Sequence, residues 1–213
     1  MTDPHGDGQL RTAGEPLSSA DAAVVLAHGR GATAESILQT AEAFSVEEVA
    51  YLAPQAQNNT WYPNSFLEPV DSNEPGRTSG LAAIDRAVTA AVDEGVPTER
   101  VLIGGFSQGA CLASEYVARN PAMYGGLVVL SGGLIGDTID PTEFDGDCGE
   151  MPVLLGCSDR DPHIPEQRVH VTADVFESLG AQTDTRIYEG MGHQINQDEA
   201  DRVREMTAGL LTE

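Results

Sequence analysis

Lysine is absent from the chain. All 11 basic residues are arginine, against 34 aspartates and glutamates, and the formal charge is −23. An excess of this size repels nucleic acid and anionic membrane surfaces, so neither is expected as a partner. Cysteine is sparse: Cys111, Cys148 and Cys157 are odd in number and share no metal-like spacing, which argues against a disulfide framework. No apolar run approaches the roughly 18 residues of a membrane-spanning helix. Residues 1–8 carry neither a basic nor an apolar stretch, so no secretory signal is read and a cytoplasmic location is expected. There is no phosphate-binding glycine loop and no His/Cys/Asp pattern with metal-ligand spacing. No cofactor and no metal are therefore expected.

What is present is a chain of 213 residues with 40% hydrophobic content, which suits a single α/β domain over 1–213 with a substantial core. Residues 1–20 are polar and aperiodic, and read as a frayed end with an edge strand near 9–13. Beyond them, short apolar runs alternate with helical patterns. Residues 22–27 (AAVVLA) are continuously apolar, as in a strand buried on both faces. Further strands are read at 48–53, 101–106, 127–130, 153–157 and 183–188. Helices are read at 33–44 with Thr33 as N-cap, along Leu81, Ile84, Val88 and Val92, at 108–119, and at 166–179 ending on Gly180. Asn196 with Glu199 forms a capping-box pattern that opens a last helix. Strand–helix alternation along the whole chain predicts a mostly parallel central sheet with helices on both faces. Two irregular stretches, 54–77 and 132–150, exceed the roughly 12–15 residues usual for a loop; such loops are usually functional or disordered, and Trp61, Tyr62 and Phe66 argue against disorder in the first.

The informative segment is Gly105-Phe106-Ser107-Gln108-Gly109, a G-x-S-x-G pattern. In a chain with 23 glycines the pattern alone says little. Its setting, after a buried strand and at the opening of a helix, makes it a nucleophile elbow of the α/β-hydrolase type. The turn must be sharp for the Ser107 hydroxyl to stand clear of the backbone, and Gly105 and Gly109 leave room where strand and helix would clash. The helix points its N-terminal amides at the site, where they favour developing negative charge. A serine also needs a base. Of the five histidines, only His193, in a small-residue loop after the last strand, fits the chain order serine, acid, histidine of this fold. The acid is sought within 156–165, where Asp159 and Asp161 both qualify by position. Pro162 restrains Asp161 to an extended conformation, which favours it, with Asp159 as the alternative. Oxyanion donors are sought at the amide of Gln108 and, in the turn His28-Gly29-Arg30-Gly31, at the amide of Arg30. Trp61, Tyr62, Phe66 and Leu67 are candidates for lining the acyl side of the site. Cys157 ends an apolar strand and reads as a buried structural thiol rather than a nucleophile.

Four segments together resemble the carboxylesterase/phospholipase family, which includes acyl-protein thioesterases. They are Leu26-Ala27-His28-Gly29-Arg30-Gly31, Gly104-Gly105-Phe106-Ser107-Gln108-Gly109-Ala110, Asp161-Pro162-His163-Ile164-Pro165 and Glu189-Gly190-Met191-Gly192-His193, and they span nearly the whole chain in the family's order. The resemblance implies an α/β-hydrolase fold, a triad of Ser107, Asp161 and His193, and an oxyanion hole from the Arg30 and Gln108 amides. The thioesterase branch usually carries an acidic residue after the H-G-x-G turn, where this chain has Ala32. The stretch from Ala53-Pro54-Gln55-Ala56 to Phe66 is similar to a small-esterase branch of prokaryotes. The expected activity is hydrolysis of short- to medium-chain carboxylic esters of small molecules through an acyl-enzyme. Thioester or lysophospholipid hydrolysis is the alternative within the enzyme class, and a catalytically silent ligand-binding member is the alternative outside it. A homodimer is compatible with the chain.

The charge makes salt a controlling variable, because the Debye length falls from about 30 Å at 0.01 M to about 3 Å at 1 M. The composition resembles that of proteins from salt-in halophiles, in which self-repulsion is screened. The melting temperature is predicted to be higher in molar KCl than in dilute buffer, and equal values would refute that reading.

Overall fold

The computed structural model describes residues 3–212. Strands β1 (Leu10–Gly14), β2 (Ala22–Ala27), β3 (Val49–Pro54), β4 (Val101–Phe106), β5 (Gly126–Leu130), β6 (Pro152–Ser158) and β7 (Gln182–Tyr188) form one seven-stranded sheet. Its order is β1-β3-β2-β4-β5-β6-β7, and all pairings are parallel except that of β1 with β3. The helices are α1 (Ala34–Ala41), α2 (Gly76–Asp93), α3 (Gln108–Arg119), α4 (Glu166–Ser178) and α5 (Gln197–Gly209). None is long and apolar enough to cross a membrane.

The two helix layers explain the unbroken apolar strands. In β2, Ala23, Val25 and Ala27 belong to the core that holds Ile84 of α2, Leu112 of α3 and Val169 of α4. Ala22, Val24 and Leu26 belong to the other core, with Ile37 of α1 and Val203 of α5. A strand covered on both faces has no solvent side, so its sequence does not alternate. At the sheet's edge β7 is half-exposed and carries charge instead. Its Arg186 and Asp184 pair with Asp198 and Arg202 of α5.

The helix ends follow their capping residues. Thr33 accepts from the amide of Ser36, whose hydroxyl accepts in return from the Thr33 amide at 3.0 Å. The helix read at 33–44 is continuous only to Ala41, and residues 42–44 tighten into a 3-10 turn. Gly180 adopts φ +84 just past α4, the left-handed conformation that ends a helix at little cost for glycine.

The polar segment before β1 is mostly exposed and is anchored at His5. His5 is buried between α2 and the loop after β3: its amide donates to Ser79 Oγ at 2.8 Å, its Nε2 to the Trp61 carbonyl at 2.9 Å, and its Nδ1 accepts from the Gln57 amide at 3.1 Å. A polar segment without periodicity can still be fixed when its imidazole satisfies otherwise unpaired backbone groups.

The capping box of α5 has an unusual member. Glu199 Oε2 accepts from the Asn196 amide at 2.8 Å, but the side chain is fully buried and its Oε1 has no partner among the described residues. It lies flat on β6, where a Cβ on Gly156 would come within 2.1 Å of Oε1. Burial, helped by the neighbouring charge of Asp198, pushes this carboxyl up to about 7 against the opposing Asn196 amide. The folded state therefore holds a proton that the unfolded chain releases near pH 4.5, and stability drains away as pH rises from there to about 7. Glu199→Gln keeps the cap and removes the charge. It is predicted to be more stable than wild type at pH 8 by on the order of 1–3 kcal/mol, a gap that closes towards pH 5 in denaturant titrations.

Candidate active site

The elbow sits where β4 turns into α3. Ser107 has φ 58 and ψ −122, a backbone conformation that side-chain-bearing residues rarely hold. It is tolerated because the helix is locked against β2. A Cβ on Gly109 would lie 2.0 Å from the Ala27 carbonyl oxygen, and one on Gly105 would lie 2.6 Å from that oxygen and from the Gly109 carbonyl carbon. Only glycine fits at either position, as the spacing requires.

Three loops at the C-terminal ends of the strands bring the remaining groups to Ser107. His193 Nε2 lies 2.8 Å from Ser107 Oγ, and His193 Nδ1 lies 2.7 Å from Asp161 Oδ2. A carboxylate can only accept, so Nδ1 carries the proton and Nε2 accepts from the hydroxyl. Asp161 is fully shielded while His193 remains 19% exposed. Burial works against ionisation of Asp161, but the His193 hydrogen bond and the amides of His163 (2.8 Å) and Ile164 (3.1 Å) outweigh it and hold the carboxyl below its usual range. Asp159, the alternative acid, has a different use. Its Oδ1 accepts from the Gly190 amide at 2.7 Å, and Ser158 Oγ accepts from the Gly192 amide at 3.0 Å. The acid loop thus grips the histidine loop on both sides of Met191.

The turn after β2 lies against the serine, with a Cβ on Gly29 falling 3.4 Å from Ser107 Cβ. Neither the Arg30 amide nor the Gln108 amide has an acceptor among the described residues. His28 anchors the turn: Nδ1 donates to the Gly29 carbonyl at 2.8 Å and Nε2 accepts from the Ala56 amide at 3.2 Å. Burial lowers its pKa and keeps it neutral, as that pair of contacts demands.

A cavity of about 470 Å³ opens beside Ser107 and His193, walled by Tyr62, Phe66, Cys111 and Ile164, with Arg30 and Asn64 at its rim. Of the four residues expected to line it, Tyr62 and Phe66 do so. Trp61 does not: it is fully buried beneath the loop, where its indole donates to the His28 carbonyl at 2.8 Å. Leu67 does not either, and turns to a small hollow with Ile139, Pro165 and Val171. Adjacent residues of a loop point in different directions, and the sequence gives no period by which to sort them. Cys111 was not foreseen, although its position one helical turn after Ser107 on α3 is a usable signal. Burial pushes its thiol up to about 12, so it is a protonated wall. Cys157 is likewise buried, with its thiol pushed up to about 12 by burial and then by Asp161. A larger hollow lined by Arg100, Pro152 and Gln182 lies at the opposite end of the sheet.

The long loop after β3 is held by the residue that follows Ser107. Gln108 Oε1 accepts from the Trp61 amide at 3.0 Å and its Nε2 donates to the Tyr62 carbonyl at 2.8 Å. The second long stretch buttresses the first, with the Gly136 amide donating to the Phe66 carbonyl at 2.8 Å.

Comparison with known proteins agrees with this architecture. A phospholipase/carboxylesterase from Dyadobacter fermentans superposes with a TM-score of 0.91 at 39% identity, covering 95% of this chain and 97% of that one. A Bacillus cereus carboxylesterase shares the fold with a TM-score of 0.76 at 16% identity, covering 96% of this chain and 95% of its own. Among curated sequences, an acyl-protein thioesterase 1 from Gibberella zeae is 30% identical over 53% of this chain, but the alignment spans only 48% of that protein. The Neurospora crassa acyl-protein thioesterase 1 is 24% identical over 86% of this chain and 84% of its own length. The phospholipase/carboxylesterase family model matches residues 13–210. A match that runs from within β1 to the end of α5 makes the chain a member of the phospholipase/carboxylesterase family of α/β-hydrolases.

Proposed function

We propose that this protein is a serine carboxylesterase acting on short- to medium-chain esters of small molecules. The observation that carries the reading is the unbroken hydrogen-bonded chain from Ser107 Oγ through His193 to the buried Asp161, beside a cavity of about 470 Å³. Ser107 Oγ attacks the ester carbonyl while His193 Nε2 takes its proton. Asp161 holds the tautomer and stabilises the imidazolium. The free amides of Arg30 and Gln108 receive the oxyanion, and one such donor is typically worth about 3 kcal/mol of barrier. His193 then protonates the departing alcohol, and water repeats the sequence on the acyl-enzyme. Tyr62, Phe66, Cys111 and Ile164 give the acyl chain an apolar but limited space. Relatives named acyl-protein thioesterases keep thioester hydrolysis as the second reading.

With p-nitrophenyl esters and thioesters of graded acyl length in molar KCl, Ser107→Ala is expected to lose at least about 10⁴-fold in kcat, and Asp161→Asn a comparable amount, with unchanged folding. Equal inactivity of wild type and Ser107→Ala on every substrate would favour a ligand-binding role. Asp159→Ala frees the Gly190 amide and is expected to lower kcat by about 10- to 100-fold with little change in KM. Asp159→Asn, which retains an acceptor, should restore most of the loss. A change confined to KM would remove Asp159 from this positioning role.

A further inference from the structure

We propose that the guanidinium of Arg30 recognises a carboxylate on the substrate, so that the ester opened at Ser107 carries a negative charge on its acyl or its alcohol part. The inference deepens the esterase reading and rests on it for where the ester lies, but its central contact does not depend on turnover.

The argument starts from how the scarce positive charge is spent. Among the described residues, Arg30, Arg100, Arg168 and Arg204 have no carboxylate within 4.0 Å, whereas the other arginines do. Arg168 and Arg204 give N–H groups to backbone carbonyls, those of Leu134 and Gly136 and that of Ala43. Arg100 borders the hollow at the far end of the sheet. Arg30 alone of the four lines the cavity that contains Ser107 and His193.

Its side chain is exposed yet held. Nη1 donates to the Pro63 carbonyl at 2.9 Å and Nη2 to the Asn64 carbonyl at 2.6 Å, and the Cζ atom stands 5.9 Å from the centre of the Tyr62 ring. Carbonyls orient a guanidinium without cancelling its charge, and the N–H groups not committed to Pro63 and Asn64 remain available. No aspartate or glutamate lines the cavity, although the chain has 34 of them. Two carboxylates stand behind its walls, Asp161 at His193 and Glu115 near Tyr62 and Cys111, and the side chains of both are fully shielded. An oriented, unneutralised guanidinium at the rim of an acid-free cavity fits a carboxylate by charge-assisted, fork-like hydrogen bonds. The rest of the molecule opposes such a substrate: a charge of −23 repels anions at long range. In 1 M salt that repulsion is screened beyond about 3 Å, and only the contact pair survives.

The test compares substrates matched in length, the first pair sharing its leaving group and the second its acyl group, in 1 M KCl. Mono-4-nitrophenyl glutarate is set against 4-nitrophenyl pentanoate, with the charge on the acyl side. 4-Acetoxybenzoate is set against 4-methylphenyl acetate, with the charge on the alcohol side. Wild type should favour the anionic member of at least one pair by about tenfold in kcat/KM, and Arg30→Gln should abolish that preference. Arg30→Lys, which keeps charge but loses the fork, should retain part of it. Calorimetry with glutarate and with 4-hydroxybenzoate, in wild type and Arg30→Gln, reads the contact without chemistry. Arg30-dependent binding in a protein that hydrolyses no ester would sink the esterase reading and leave the carboxylate site standing. A preference that is absent in wild type, or that survives in Arg30→Gln, together with Arg30-independent binding, overturns the proposal.

Discussion

Helix α3 approaches strand β2 so closely at Gly109 that a single carbon atom between them would overlap the Ala27 carbonyl. Much of the site's geometry follows from that contact. It drives the backbone through the left-handed turn at Ser107, a conformation costing of order 1–3 kcal/mol, and the buried face of α3 offsets it. It sets the first amide of α3 beside the turn after β2, so that the free Arg30 and Gln108 amides share one neighbourhood. The acid and histidine loops then reach the serine from β6 and β7, held to each other through Asp159 and Ser158.

Much of this was legible in the sequence because it is written in local patterns. The ranges read for β2, β4 and α3 coincide with those of the structure, since unbroken apolar runs and the elbow glycines leave few alternatives. Thr33 and Asn196 marked helix starts through capping chemistry that operates within four residues. Ser107 was singled out by the elbow pattern, His193 by chain order and Asp161 by Pro162, and His193 lies within hydrogen-bonding distance of the other two. What escaped depends on contacts between distant segments. Trp61 and Leu67 turn away from the cavity because the loop that carries them is shaped by Gln108, His5 and the 132–150 stretch rather than by its own pattern. The anchoring of His5 rests on Ser79 and Trp61, which nothing near it in the sequence announces.

The two fully buried glutamates show how unevenly positive charge is distributed. Glu115 on α3 meets Arg77 and Arg119 and accepts from the Ile135 amide at 3.2 Å, so its charge is compensated from three elements. Glu199 meets one amide and no cation. Arginines are placed where α2, α3 and the 132–150 loop must be tied together, while α5 is left with an acid whose protonation governs its fit on β6.

Gln108 joins two properties that are separate in many enzymes. Its backbone adjoins Ser107, and its side chain fixes the segment from which Tyr62 walls the cavity. A change of side chain at this position therefore alters the room in the cavity, and any movement of that wall pulls back on the first turn of α3. Variation that reshapes the cavity without disturbing the elbow has to come from elsewhere on its wall, at side chains such as Phe66 and Ile164 that bound the space without being bonded to the elbow.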